Sequence, residues 1–248
     1  MTKDYLKLAV NMFYDLQRIR IQTGGRILAK DNPQGIDLNQ EDLEYFETIF
    51  ERLKSEEKQL LKKIQKYVEA THIWKEFLKD IKGVGPTMAA VLLSEFDINK
   101  AETVSNMWSY AGLNVVDGKA PKPIKGEKLK YNKWLRSKLL GVLGTSFLKT
   151  NSSYRDYYDN YKNRLQSMRI LCPKCEGKKT KTKCSNCSGT GTSPWGVSDK
   201  HRHNASVRYM VKMFLIDLYR KWRELEELPI RNLYQEQYLN HNHNHKAN

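Results

Sequence analysis

The 248-residue chain has no uninterrupted apolar run near the roughly 20 residues that a bilayer helix needs, which excludes a helical membrane protein. Mean hydropathy is −0.70. The opening residues, MTKDYLKLAVNMFYD, carry acids inside the apolar stretch and no small-residue cleavage site, so no secretory signal is expected and a cytoplasmic location is. Cysteine is scarce: the four present all fall between 172 and 187, which excludes a disulfide framework spread along the chain. Acid is also in deficit, with 28 Asp and Glu against 43 Lys and Arg, and the formal charge of +15 argues against an ordinary neutral metabolic enzyme. The 40% of apolar residues suffices for a core, in one domain or two small ones.

The basic excess is confined to one half. Residues 1–118 hold 16 basic and 18 acidic residues, a balance of −2, which leaves 27 against 10, or +17, for residues 119–248. Such asymmetry predicts a polyanionic partner, because Lys and Arg that meet phosphates release condensed counterions and gain affinity. Nucleic acid is favoured over a membrane surface, since the apolar helical positions are needed for a core.

Leu6, Val10, Phe13, Leu16, Ile19 and Ile27 recur at helical spacing until Gly24-Gly25 and Asp31-Asn32-Pro33 interrupt them. A second long helix is expected from about Leu38 to Ile73, capped by Asp37 and carrying Leu43, Phe46, Phe50, Leu53, Leu60, Ile64 and Tyr67. The pair predicts an antiparallel hairpin serving as scaffold or dimer arm. A helix around Trp74 to Ile81 then leads into Ile81-Lys82-Gly83-Val84-Gly85-Pro86-Thr87, followed by Met88-Ala89-Ala90-Val91-Leu92-Leu93. A Gly-apolar-Gly turn before a helix with Pro in its first position reads as a helix-hairpin-helix. Its glycines admit close approach of a phosphate, the free amides at the helix start can hold an oxygen, and Lys82 and Thr87 add a charge and a hydroxyl. The alternative is a plain inter-helix turn.

A helix near Val104–Ala111 precedes a loop from Lys119 to Lys130. That loop and the following helix, Tyr131 to about Lys149, carry Lys119, Lys122, Lys125, Lys128, Lys130, Lys133, Arg136 and Lys138 against the single Glu127. Eight cations with one acid predict backbone contact with DNA or RNA, a solvated loop being the alternative. Gly141 and Gly144 are expected to allow close helix packing.

The order of these motifs resembles the C-terminal transposase domain of the bridge-RNA-guided insertion-sequence recombinases, the DEDD transposases. The residues that carry the resemblance are Ile81-x-Gly83-Val84-Gly85-Pro86-x-x-Ala89-Ala90-x-Leu92-Leu93-x-Glu95, Trp108-x-Tyr110-Ala111-Gly112-Leu113, the basic loop, Trp134-Leu135-Arg136-x-x-Leu139-Leu140 and Tyr154-Arg155-x-Tyr157-Tyr158. It covers about Leu43 to Tyr161 and again His201 to Trp222, and implies an all-helical DNA-binding domain acting in recombination. Two departures limit the carry-over. The family's RuvC-like domain, whose acids hold a metal ion, has no counterpart in these first 70 or so residues. The family's nucleophilic serine, in a Ser-Gly pair after the Tyr-Ala-Gly-Leu stretch, is matched here by Asp117-Gly118, so the hydroxyl needed for a phosphoserine intermediate is missing. Ser105, Ser109, Ser137 and Ser146 are read as surface or packing residues. Independent strand transfer is not expected.

Cys172-Pro-Lys-Cys175 and Cys184-Ser-Asn-Cys187 use every cysteine and have the spacing that sets four thiolates around one tetrahedral ion at about 2.3 Å. A structural zinc ribbon is expected, with disulfides the alternative. The glycines after each pair resemble the Cys-rich repeats of DnaJ-type chaperones, locally, as convergence on knuckle geometry. Lys178, Lys179, Lys181 and Lys183 make the ribbon tip basic. Val207, Met210, Val211, Phe214, Leu218 and Trp222 mark a closing helix, with His201 and His203 as further candidate ligands or phosphate donors, and the run Asn240 to His245 reads as a solvated tail.

The expectation is therefore an all-α protein: a helical-hairpin arm over 1–75, a helix-hairpin-helix transposase-like domain over 76–170, a four-Cys zinc ribbon inserted over 171–198, a closing helix over 199–230 and a tail over 231–248. The expected function is DNA binding in transposition or recombination by clamping backbone phosphates through Lys82, Gly83, Val84, Gly85, Thr87, Lys125, Lys128, Lys130, Lys133, Arg136, Lys179 and Lys181. Zinc is the expected cofactor, DNA the partner and the nucleoid the location, with a homodimer formed through the hairpin and a RuvC-like partner chain as further partners. The alternatives are a recombinase completed by that partner and an RNA-binding or scaffold protein.

Overall fold

The computed structural model describes residues 2–29, 39–115, 120–177, 184–196 and 198–231. It is helical apart from one short two-stranded sheet beside a four-cysteine cluster, the all-α class with a small ribbon-like insert. The chain divides into two compact units, Met1–Asp80 with Val84–Asp97, and Ile81–Gly83 with Ile98–Asn248.

In the first unit, α1 (Lys3–Leu28) is capped by the Thr2 hydroxyl and α2 (Gln40–Glu69) by the Asn39 side chain, which accepts from the Asp42 amide at 2.8 Å. The two run antiparallel: Gly24 faces Phe50, and Gln17 and Arg20 both reach Glu57. The expected break at Gly24-Gly25 does not occur. A Cβ on Gly24 would lie 2.9 Å from Phe50 Cε2, so the glycine's helix cost is offset by close packing against α2. The buried Glu57 is satisfied by Arg20 and Gln17 together. Leu6, Val10 and Phe13 of α1 and Leu43, Ile64 and Val68 of α2 are buried. Against these helices lies α4 (Pro86–Glu95), whose residues from Met88 onward are all buried, as an apolar-all-round helix must be. Its Glu95 carboxylate meets Lys7 at 3.3 Å.

The helix expected over Trp74–Ile81 is instead two short pieces, α3 (His72–Glu76) and a 3₁₀ turn over Leu78–Asp80. Ile73 and Leu78 are both buried, and a five-residue step on a continuous α-helix would set them about 140° apart. The break at Phe77 lets both face inward.

In the second unit, α9 (Asp199–Leu225) is the central element. Around it pack α5 (Val104–Tyr110), α8 (Arg155–Ser167) and a long helix made of α6 (Lys133–Ser137), a π segment over Lys138–Leu143 and α7 (Gly144–Lys149). Phe147, Tyr154 and Phe214 form an aromatic cluster with ring centroids 5.2–5.4 Å apart. Tyr154 donates to Asp217 at 2.8 Å, and burial followed by that carboxylate's charge pushes its phenol pKa up. Gly144 is the close crossing point of α7 with α9, since a Cβ there would lie 2.6 Å from Val207 Cγ1. Gly141 has open space around it, so of the two glycines expected to pack only Gly144 does. At the far end of α9 the buried Arg223 donates to the carbonyls of Ile98 and Ala101 at 3.0 Å and of Pro229 at 2.6 Å, pinning the chain on both sides of the unit. Strands β1 (Arg169–Leu171) and β2 (Thr192–Pro194) pair antiparallel between α8 and α9.

Candidate metal centre and nucleic-acid interface

The paired strands bring the two Cys-x-x-Cys turns face to face. Both turns have the same build: Glu176 (φ 50°) and Gly177 (φ 80°) follow Cys175, and Ser188 (φ 51°) and Gly189 (φ 89°) follow Cys187, each a left-handed pair. The Glu176 amide donates to the Cys172 carbonyl at 2.8 Å and the Ser188 amide to that of Cys184 at 2.7 Å. All four Sγ atoms lie within 4.8 Å of one another. Cys172 and Cys184 sulfurs are 3.8 Å apart and those of Cys175 and Cys187 3.6 Å. Four thiolates at about 2.3 Å from one tetrahedral ion are separated by about 3.8 Å, whereas a disulfide brings sulfurs to about 2.0 Å. The cluster fits a tetrahedral ion and not a pair of disulfides.

The crowded thiols are shifted in opposite directions. Asn186 Nδ2 donates to Cys172 Sγ at 3.3 Å and is the main cause that pulls this thiol down to about 6, against its burial. Burial and the crowding of Cys187 and Cys172 push Cys175 up to about 12. Four thiolates so close repel one another, and a cation among them removes that repulsion.

The Gly83–Thr87 turn is built by opposite requirements at its two glycines. Gly83 has φ +97°, its carbonyl accepts from Ser146 Oγ at 2.8 Å, and a Cβ there would meet Phe147 and Thr150 at 3.0 Å. Ser146 is thus a packing hydroxyl. Val84 is buried, so its side chain belongs to the core. Gly85 is the exposed N-cap of α4, with open space around it and no side chain capping the helix; Pro86 follows. Lys82 is exposed and Thr87 half-buried.

The Tyr110-Ala111-Gly112-Leu113 stretch closes α5 and seats α6. Gly112, at φ +64°, lies against the Tyr131 ring, and the Tyr110 carbonyl accepts from the Asn132 amide at 2.8 Å. Lys125, Lys128, Lys130 and Lys133 are exposed. Arg136 is half-buried, donating to the Pro121 carbonyl at 2.8 Å with its guanidinium 5.1 Å from the Tyr131 ring centre. Asp117, Lys179, Lys181 and the Asn240–His245 run lie outside the described residues.

Two cations of α9, Arg208 and Lys212, lie outside the set expected from the sequence. Lys212 Nζ sits 3.9 Å from the Trp108 ring centre, and burial, then the Arg208 charge, push its ammonium down to about 8. Arg208 Nε is buried without a hydrogen-bond partner among the described residues. His201 and His203 are not part of the cysteine cluster; His203 Nδ1 is 2.7 Å from the Tyr158 hydroxyl.

Among the described residues no helix is long and apolar enough to cross a membrane. No curated protein and no solved structure matches the chain. Residues 75–159, a little over a third of the chain and including the Gly83–Thr87 turn, the Tyr110–Leu113 stretch and the basic loop, match the family model described as the transposase IS116/IS110/IS902 family, and this match supports transposase-family membership.

Proposed function

We propose that this chain is a DNA-binding protein of transposase type, acting in DNA transposition by holding the duplex through its backbone phosphates. The observation that carries the reading is the transposase-family match over residues 75–159. The +17 balance of residues 119–248 supplies the attraction, and the exposed Lys125, Lys128, Lys130 and Lys133 offer phosphate contacts. The uncapped start of α4 offers amides to a phosphate oxygen, and Lys82 is exposed. Lys179 and Lys181, which lie in sequence between the two Cys-x-x-Cys pairs, add further positive charge. Such binding is weakly sequence-specific and steeply salt-dependent. The test is fluorescence anisotropy with a labelled duplex at several salt concentrations.

The metal is zinc in a structural role: four cysteine ligands close the coordination shell, and the knuckle turns hold the ribbon between α8 and α9. The hairpin arm pairs with a second copy. Tyr5, Leu8, Met12 and Ile19 are exposed on α1 at steps of three, four and seven, an apolar stripe of heptad spacing. A second reading, compatible with the transposase-family match, is strand transfer completed by a partner chain that brings an acidic metal-binding domain. A covalent protein–DNA adduct formed only when both chains are present identifies it.

A further inference from the structure

Outside the turn, the loop and the ribbon, the second unit contains a groove of about 430 Å³ between the α6–α7 helix and the first half of α9. Its making is local. Gly144 brings the two helices to their closest approach at Val207, and the groove opens beside that crossing. The π segment sets which residues face it: the Gly144 amide bonds to the Leu139 carbonyl five residues back, and the wide turn brings Leu140 and Thr145, also five apart, to the same groove. Wide turns of this kind are frequent at functional sites.

The lining is cationic and polar on an apolar floor. Arg136 from α6 and Arg208 from α9 enter from opposite walls, with Thr145, His203 and Asn204 between them. Neither arginine, nor Lys212 one turn beyond Arg208, forms an ion pair with a carboxylate among the described residues. Burial and the Arg136 charge both disfavour the Arg208 cation, and Arg208 in turn bears on Lys212. With Arg208 Nε buried and lacking a partner, a forked donor is held ready on a wall where cations repel each other. His203, its Nδ1 engaged by Tyr158, has Nε2 as its other polar atom. An anion with several acceptor oxygens would relieve that repulsion and accept from the forked donor.

We propose that this groove is a phosphate site for DNA: Arg136 and Arg208 together grip one phosphodiester of the duplex, with Thr145, His203 and Asn204 completing its hydrogen bonds. Arg136 joins the site to the basic loop through its bond to Pro121, and Lys125, Lys128 and Lys130 of that loop are exposed. The inference rests on the DNA-binding reading and assigns that reading a specific anchoring site. Inorganic phosphate shares the recognised chemistry and serves as the control ligand.

The experiment uses the full chain with Thr145→Glu and Asn204→Glu, both at exposed positions on opposite walls, and Arg208→Gln. Matching circular-dichroism melts establish that a variant folds, and the two exposed substitutions keep the test valid where Arg208→Gln does not. Duplex affinity by anisotropy is expected to fall at least about tenfold in each folded variant, and the slope of log affinity against log salt to shrink by about one. Inorganic phosphate is expected to raise the melting temperature of the parent chain and not that of the variants. Unchanged affinity and slope in the folded variants overturn the proposal, including where inorganic phosphate alone still distinguishes them, since the groove then serves free phosphate. A parent chain that binds no duplex overturns the DNA-binding reading itself, and the proposal with it; the phosphate melts still show whether the groove is an anion site.

Discussion

Arg223 shows how one side chain can hold a unit together. It is buried and donates to three carbonyls, two of them more than 120 residues away in sequence. Arg223→Leu leaves those carbonyls without their donor and is expected to cost about 3 kcal/mol, read as a fall in the denaturant midpoint. Lys212 is the opposite case, a cation that costs stability where it stands. Its folded pKa of about 8 lies below its ordinary 10.5, so between these values the unfolded chain binds more protons and stability rises with pH; below about 8 both states are charged and the cost is fully present. Lys212→Met is expected to raise the melting temperature at pH 7 and to remove the rise between about pH 8 and 10.5. A melting temperature that is lower at pH 7 contradicts burial as the cause. For the cysteines, Cys184→Ser is expected to lose about one equivalent of bound metal in elemental analysis, and retention contradicts the tetrahedral site.

At the scale of elements, the Gly144–Val207 crossing fixes how closely α7 meets α9. Gly144→Ala puts a methyl 2.6 Å from Val207 Cγ1 and is expected to destabilise by about 1–3 kcal/mol, with Val207→Ala recovering part of the loss in a double-mutant cycle. The apolar residues Leu135, Leu139, Leu140, Val142, Leu143 and Phe147 mark this helix in the sequence, and of them Leu135, Leu139, Leu143 and Phe147 are fully buried while Val142 is exposed. They do not expose the π segment, since a one-residue widening leaves the apolar spacing nearly intact and is decided by packing on α9. The break at Phe77 was hidden similarly: Trp74 to Ile81 has helical composition, and only the joint burial of Ile73 and Leu78 forces it. Opposite in kind is the cysteine cluster, legible almost completely because ligand spacing is a local property. Arg136, Arg208 and Lys212 come from elements some 70 residues apart, and no local pattern tells a converging charge from a solvated one. Gly24-Gly25 misleads in the other direction, because helix propensity is overridden when the glycine is where Phe50 packs.

At the scale of the whole molecule, charge is segregated along the chain. The near-neutral first half carries the exposed apolar stripe of α1, and Met12→Glu with Ile19→Glu is expected to convert a dimer to a monomer in light scattering without loss of helix content. The basic half carries the loop, the ribbon and the groove, and a duplex that engages several of these surfaces releases many counterions at once. About six phosphate contacts would lower affinity roughly a thousandfold between about 50 and 200 mM salt. The affinity of the full chain for a labelled duplex across that range therefore tests the central claim most directly. A steep linear fall of log affinity with log salt is the predicted result, and an affinity that stays flat across the range would contradict it.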